Sequence, residues 1–168
     1  MQITTDMVRE LREQTGAGVM DCRRALEQAN GDQAKAREIL ADQGLARAAR
    51  KAGRIASQGV VDSYIHAGGR IGVLVELNCE TDFVGRNEEF RALAHDIAMQ
   101  VAATGPQYIS PDEAPADVDA DEKSQISLLT QPFIKNPSQT IQDLINQSIA
   151  KFGENIQVRR FARFELGN

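Results

Sequence analysis

The residues that could act on a partner molecule lie together in one short segment, Thr81–Val84, directly after an alternating apolar stretch. Phe83 places a large apolar ring beside the carboxylate of Asp82, where the pattern predicts that a strand ends and a helix begins. An aromatic ring on a rigid turn is suited to inserting into a partner protein. Because most phenylalanines are buried, residue type alone favours the alternative that Phe83 packs on its own core.

Catalytic alternatives depend on Cys79 and on two neighbouring carboxylates. Glu80 and Asp82 are two residues apart and could act as a pair, but capping of the turn by Asp82 explains them equally well. Cys79 continues the buried face of a predicted strand, which favours an inert core thiol over a nucleophile paired with His66 or His95. The residues therefore favour a binding protein over an enzyme, with no catalytic residue.

The sequence lacks the Gly-rich loops that hold nucleotides. It contains no Gly-x-x-x-x-Gly-Lys-Ser/Thr loop, and no strand is predicted before its single Gly-x-Gly at Gly16 and Gly18. We therefore expect no direct nucleotide binding and no cofactor. The two histidines and two cysteines have no metal-site spacing, so no metal site is expected.

Composition and charge narrow the class of protein further. The chain of 168 residues is 42% hydrophobic and 26% charged, which is typical of a globular protein. It has no apolar run of membrane-spanning length and no signal-peptide pattern, and two isolated thiols fit a reducing cytoplasm. Residues 1–58 carry a net charge of +2 and residues 59–168 a net charge of −7, which argues against nucleic acid as the ligand.

The elements that position these residues fall into a helical part and a mixed part. Residues 1–44 show three apolar stripes at helical spacing, with Thr4 or Thr5 capping the first helix, Asp32 capping the third and Gly44 ending it. So small a core should be marginally stable. Residues 45–58 are expected to form a basic helical connector, whose charges indicate a solvated linker rather than RNA contact.

Residues 59–168 change to a period of two, which predicts an α+β domain. Two strands joined by a turn at 67–70 precede a helix capped by Asn87, and an acidic loop follows at 107–125. For this loop a solvated linker is favoured over a calcium site, because EF-hand spacing is missing. A short strand at 131–134, a helix opened by a Thr140 capping box and a long C-terminal strand complete an antiparallel three-stranded sheet covered by helices.

Several of these stretches resemble one family. Thr15–Asp32 and Val75–Val84 resemble the two signatures of bacterial elongation factor Ts, and three later blocks are similar to its core. Those blocks are Gln131–Ile134, Gly153–Ile156 and Arg163–Gly167.

The resemblance implies a guanine nucleotide exchange factor for the GTPase elongation factor Tu. It implies that residues 1–44 form a three-helix domain similar to a ubiquitin-associated (UBA) domain, whose contacts with the GTPase fall at Leu11, Val19 and Met20. It also implies that the Thr81–Val84 turn reaches toward the GTPase's magnesium site, with the ring of Phe83 inserted between side chains of the GTPase.

The chain departs from the family pattern in three respects. It resembles the short form of the family, which is expected to act as a homodimer, but residues 107–127 are abbreviated. Gln100 stands where some members carry a histidine that touches the GTPase, and Val19 stands where others have Met. The rival interpretation is a UBA-type interaction module without exchange activity, which would leave residues 59–168 unexplained.

Overall fold

The computed structural model describes residues 2–168 and shows the expected mixture of helices and antiparallel sheet. The chain divides into two compact units. The first unit comprises the residues up to Arg54 together with Asn146–Asn155, and the second comprises Ile55–Ile145 and Ile156–Asn168. These units differ from the predicted domains of 1–44, 45–58 and 59–168, since the first extends to Arg54 and also takes in a segment near the C-terminus.

The first unit contains helices α1 (Thr5–Thr15), α2 (Val19–Gln28) and α3 (Gln33–Lys51). The predicted caps are confirmed, because the Thr4 hydroxyl accepts a hydrogen bond from the Met7 amide and the Asp32 carboxylate accepts from two amides of α3. The apolar stripes meet in a small core whose fully buried members are Leu11, Cys22, Ala25, Leu26 and Ala36.

The prediction that Gly44 ends the third helix is wrong. Helix α3 runs through Gly44 to Lys51, so about half of the predicted 45–58 connector continues this helix. A glycine inside a helix costs about 1 kcal/mol relative to alanine. The residues after it are mostly Ala and Arg, which are strong helix formers, and Ala48 is buried against the unit. Their combined contribution exceeds the cost of one glycine.

The extended α3 makes a stability prediction possible. Gly44 has no positive φ, and a Cβ atom built on it would have no neighbour within 4 Å. Gly44→Ala should therefore stabilise the first unit by about 1 kcal/mol, through the lower backbone entropy of the unfolded chain. Urea unfolding followed by circular dichroism measures this. Gly16→Ala is the matched control of opposite sign, because Gly16 has a φ of 67°; a loss of stability in Gly44→Ala would contradict the prediction.

The second unit is built on a three-stranded antiparallel sheet. The strands of this part of the chain are β1 (Gln58–Ile65), β2 (Ile71–Cys79), β3 (Pro132–Phe133), β4 (Asn136–Thr140) and β5 (Gln157–Glu165). Its helices are α4 (Asp82–Gly85), α5 (Glu88–Thr104), α6 (Ala120–Ile126) and α7 (Ile141–Phe152). The C-terminal half of α7 belongs to the first unit. The predicted antiparallel three-stranded sheet is confirmed, and its strand order is β1–β2–β5. Val73, Val75 and Leu77 are buried on the face that α5 covers.

The acidic segment contains more structure than predicted. A short 3₁₀ turn at Pro111–Glu113 and helix α6 interrupt the loop expected at 107–125, and the Asp119 carboxylate caps α6 by accepting from the Glu122 amide at 2.9 Å. Among residues 2–168, no three His, Cys, Asp or Glu side chains are grouped so that they could hold a metal ion. The carboxylates of this segment thus serve as caps and solvated surface.

The segment before α7 forms its own small hairpin. The predicted strand at 131–134 exists as β3, but it pairs with β4 in a separate two-stranded sheet and not with the main sheet. The Thr140 capping box is confirmed, because the Thr140 amide donates to the Asp143 carboxylate at 2.8 Å and the Asp143 amide donates back to the Thr140 hydroxyl at 3.1 Å. Within residues 2–168, no helix is both long enough and apolar enough to cross a membrane.

Candidate partner-binding site

The Thr81–Val84 turn is fixed by local hydrogen bonds at the end of β2. The Cys79 thiol donates to the Thr81 carbonyl oxygen at 3.1 Å, and the Thr81 hydroxyl accepts from the Val84 amide at 3.4 Å. Thr81 has extended backbone angles and is the N-cap of α4. This combination stops the strand and starts a helical turn within two residues.

The two apolar side chains of this turn point in opposite directions. Val84 is 5% exposed and anchors the turn to the core, whereas Phe83 is 82% exposed. The expectation that Phe83 packs on its own core is therefore wrong. Beside it, the Asp82 carboxylate forms an exposed ion pair with Arg86 at 2.8 Å. The turn thus presents one ring and one carboxylate to solvent from a fixed backbone.

Helix α4 lies directly against the backbone of β1. A Cβ atom built on Gly85 would be 3.1 Å from the Gly59 carbonyl oxygen and 3.2 Å from the Gly59 Cα atom. Gly59 itself has a φ of 141°, a region that residues with a side chain rarely adopt. Two glycines therefore bring α4 close to the sheet, and this contact sets where Phe83 stands.

The predicted catalytic alternatives do not assemble into a nucleophilic site. Cys79 is fully buried, which confirms the prediction of an inert core thiol. His66 and the Tyr64 hydroxyl are hydrogen-bonded at 3.1 Å, and His95 lies 3.7 Å from the Asp62 carboxylate. A thiol without solvent access cannot reach a substrate, so these residues give no support to an enzymatic mechanism.

Gln100 is buried in α5 and has a structural role. Its side-chain amide donates to the Pro132 carbonyl at 3.1 Å and its side-chain oxygen accepts from the Ile134 amide at 2.9 Å. Both ends of this buried amide are therefore used to hold β3 against α5. The family resemblance implied a partner contact near this position, but in this chain Gln100 is fully buried.

In the first unit, the three residues expected at the contact surface are divided between surface and core. Val19 and Met20 begin α2 and are 49% and 62% exposed. Leu11 is fully buried in the helical core. The implied direct contact of Leu11 with a partner is therefore corrected, because its side chain supports the surface from below and is not part of it.

The start of α2 is tied to α3 by an ion pair that the sequence analysis did not find. Asp21 follows Met20, and both of its carboxylate oxygens accept from the Arg47 guanidinium at 3.0 Å, while Arg24 binds the same carboxylate. The hydrogen bonds from Arg47 hold the pKa of the Asp21 carboxyl below its usual value, although partial burial acts to raise it. Sequence spacing could not reveal this pair because 26 residues separate its members.

This ion pair makes a pH-dependent prediction. A carboxylate whose pKa is lowered by folding stabilises the folded state above its unfolded pKa of about 3.9, and this contribution is lost as pH falls through the folded pKa. Asp21→Asn should therefore lower the free energy of unfolding of the first unit by about 1 kcal/mol at pH 7. The effect is modest because a partly exposed ion pair stabilises less than a buried one. The difference from wild type should shrink as pH falls through the lowered folded-state pKa of Asp21.

Urea unfolding of the wild type and of Asp21→Asn between pH 3 and pH 7 measures this difference in stability. Asp6→Asn is the matched control, because the Asp6–Arg9 pair is exposed on one helix and should change stability by only a few tenths of a kcal/mol. An Asp21→Asn effect that stays constant with pH would contradict the electrostatic origin.

The face of the sheet opposite α5 is open and apolar. A bulge in β5 places Val158 opposite Leu77 but Arg160 opposite Glu76, so that Arg159 is an extra residue and the alternation of β5 changes phase. Beyond the bulge, Phe164 lies opposite Gly72 on the open face. The apolar residues of this open face and of the chain end beside it are Val61, Ile65, Leu74, Phe164 and Leu166, each at least half exposed. A cavity of about 540 Å³ opens beside them at the 69–74 end.

The comparisons with known proteins agree with the sequence resemblance. The family profile described as Elongation factor TS matches residues 34–127. The elongation factor Ts of Carboxydothermus hydrogenoformans is 53% identical over 98% of this chain and 89% of its own length. The protein of the same name from Acetivibrio thermocellus is 52% identical over 98% of this chain and 90% of its own length.

The chain belongs to the elongation factor Ts family. The predicted family is thereby confirmed, and the exposed Phe83 lies in the segment that resembles the second family signature. The alignment with the Carboxydothermus relative runs over 194 positions although this chain has 168 residues, so the relative carries at least 26 internal positions without counterpart here. This chain is therefore a shortened member, as the sequence analysis expected.

Proposed function

We propose that this chain is a guanine nucleotide exchange factor that binds elongation factor Tu in its GDP-bound form and promotes release of GDP. The observation that carries the proposal is Phe83, a fully displayed aromatic ring on a hydrogen-bonded turn, in a chain of the elongation factor Ts family. Exposing such a ring to water is unfavourable unless it is buried in a complex. Thr81 and Val84 hold the turn, and Asp82 and Phe83 meet the partner.

The proposed mechanism acts on the partner's magnesium ion. Magnesium bridges the phosphate oxygens of a bound nucleotide and neutralises their charge. Insertion of Phe83 beside this site displaces the groups that hold the ion and raises the free energy of bound GDP. Coupling between two ligands of one protein is reciprocal, so GDP and the exchange factor weaken each other's binding equally. GTP then enters by mass action, and this chain makes or breaks no covalent bond.

The first unit supplies a second contact in this proposal. We assign the gripping of the GTPase's nucleotide domain to Val19 and Met20, which are exposed at the start of α2, and a supporting role to Leu11. A three-helix unit of this kind is consistent with a UBA-like domain. Cys22 and Cys79 are buried thiols, which suits the reducing cytoplasm where translation takes place.

Release of a fluorescent GDP analogue from elongation factor Tu tests the proposal. Adding this chain to the loaded GTPase with excess unlabelled GDP should accelerate the loss of fluorescence in proportion to its concentration. The rival interpretation, a UBA-type module without exchange activity, predicts binding to a partner without acceleration. Unchanged release at saturating concentrations of the chain would refute the exchange function.

We also propose that a second copy of this chain packs on the open face of the sheet. The five apolar side chains of that face would otherwise remain in water, and a self-complementary patch on both subunits is the usual basis of a two-fold dimer. The ion pair between Arg160 and Glu76 at 2.7 Å lies on the same face and would form part of its polar surroundings.

The dimer proposal predicts that the molar mass measured in solution rises from that of one chain to that of two as the protein concentration increases. Phe164→Ser should raise the dimer dissociation constant by about tenfold or more, because each copy loses a central aromatic side chain. Analytical ultracentrifugation measures this, with Ile134→Ser as the control, since Ile134 is exposed on the separate β3–β4 hairpin. A wild-type mass of one chain at all concentrations would rule out the dimer and leave the exchange function intact.

A further inference from the structure

We propose that Ile55 is a second apolar contact for the GTPase, on the same surface of the second unit as Phe83. This inference rests on the proposed exchange function and extends its interface to a residue outside both family signatures. The partner is the GTPase into which Phe83 inserts. Ile55 increases the affinity for this partner and does not displace the magnesium ion.

The first support is exposure. Ile55 is 85% exposed and Phe83 is 82% exposed, and these are the two most exposed large apolar side chains among residues 2–168. Single exposed aliphatic residues are common on protein surfaces and need no explanation. Two such side chains that extend almost fully into water at one end of a sheet are characteristic of an interaction site.

The second support is position. Gln58, the first residue of β1, lies opposite Cys79, the last residue of β2. The residues that precede Gln58 therefore continue past the end of β2, where the Thr81–Val84 turn begins. Helix α4 contacts Gly59 on the same strand. Ile55 and Phe83 consequently stand at the same end of the sheet, within a few residues of one another along paired strands.

The third support is a fixed backbone. The buried side chain of Asn78, in β2, donates from its amide to the carbonyl oxygen of Ala56 at 3.2 Å, and Ala56 is itself buried. This interaction holds the segment next to Ile55 on the strand that leads into the Phe83 turn. A pre-organised backbone lowers the entropy lost on binding. Ile55 is thus displayed in the same manner as Phe83.

The arrangement favours the GTPase over a second copy of the chain as the occupant. The open face of the sheet extends toward the 69–74 end, where Ile65, Leu74 and Phe164 surround the cavity. Ile55 precedes β1, at the opposite end of that strand, where β2 leads into the Phe83 turn. A partner that accepts Phe83 would therefore cover Ile55 with the same contact area.

Binding of elongation factor Tu to variants of the full chain tests the inference. Ile55→Ser should weaken binding by about tenfold, which is the effect of removing one buried aliphatic side chain from an interface. Ile55→Leu is the matched control and should bind like wild type, because it keeps the apolar surface. Since Ile55 is 85% exposed, neither variant should change the unfolding midpoint of the free chain.

A double-mutant cycle with Phe83→Ala separates contact from indirect effects. Two independent contacts require the losses in affinity to multiply in the double variant. A double variant no weaker than Phe83→Ala alone would overturn the inference, since Ile55 would then act only by placing Phe83. Wild-type binding by Ile55→Ser would overturn it as well. So would an effect of Ile55→Ser on dimerisation of the free chain without an effect on GTPase binding. If Phe83→Ala itself binds and exchanges normally, the proposed function fails and not merely this extension.

Discussion

Phe83→Ala is expected to weaken the complex with elongation factor Tu by about 2 kcal/mol or more, which corresponds to a factor of about thirty in the dissociation constant. The reason is geometric. The ring is 82% exposed in the free chain, so its removal changes the stability of the fold little. In the complex the ring becomes buried, and a central aromatic anchor contributes a large part of the binding free energy. The loss should therefore appear in binding and exchange while the unfolding midpoint stays unchanged.

Accelerated release of fluorescent GDP at increasing concentrations of the variant measures this effect. Saturating concentrations separate two roles of the ring. If Phe83 displaces the groups around the magnesium ion, the maximal release rate falls; if the ring supplies affinity alone, the maximal rate is kept and more variant is needed. Ile134→Ala is the control, since it removes an exposed apolar side chain of the same unit that lies outside both proposed contact surfaces. Wild-type exchange by Phe83→Ala would refute the proposed role of the turn.

Local signals in the sequence were sufficient to predict the element boundaries that depend on neighbouring residues. The caps at Thr4, Asp32, Asn87 and Thr140 form hydrogen bonds two or three residues away, so a short window of sequence contains the whole interaction. The alternating apolar residues of β2 fixed its buried face for the same reason. These features also located the Thr81–Val84 turn at the end of that strand.

The orientation of Phe83 could not be predicted in this way. Whether an aromatic side chain on a turn packs inward or points outward depends on what lies beneath the turn. Here Val84 occupies the core position and the close contact of Gly85 with Gly59 determines how the turn is seated. Residue type favoured burial, and the structure shows exposure, because the contact that positions the turn involves Gly59, which is more than twenty residues away.

Three other differences have the same origin in non-local interactions. Helix α3 passes Gly44 because strong helix formers follow this glycine, and because Ala48 packs on the unit and Arg47 pairs with Asp21 on another helix. Leu11 was assigned to a contact surface by position along the sequence, although the three-helix packing places it in the core. The extra residue Arg159 in β5 changes the phase of the strand, which the alternation of apolar residues along the sequence does not reveal.

Gly59→Ala is expected to destabilise the second unit by about 3 kcal/mol or more. A Cβ atom at this position would lie 2.1 Å from the Leu77 carbonyl oxygen and 2.8 Å from the Asn78 Cα atom, and both are backbone atoms of the paired strand that cannot rotate away. The φ of 141° adds strain that a residue with a side chain cannot relieve in place. A steric clash with rigid backbone atoms, combined with strain at an unusual φ, is one of the few mechanisms that make a single substitution severely destabilising.

The same glycine connects the stability of the sheet to the function proposed for the turn. Helix α4 rests on Gly59, so a displaced β1 should move Phe83 even in molecules that remain folded, and exchange should fall more than the folded fraction does. Urea unfolding and GDP release on one preparation measure both quantities. Gly53→Ala is the control, because a Cβ there has no neighbour within 4 Å. If Gly59→Ala unfolds at the wild-type urea concentration, the backbone contact between β1 and β2 is not as close as this geometry requires. The claim that close packing of α4 on Gly59 positions Phe83 would then fail.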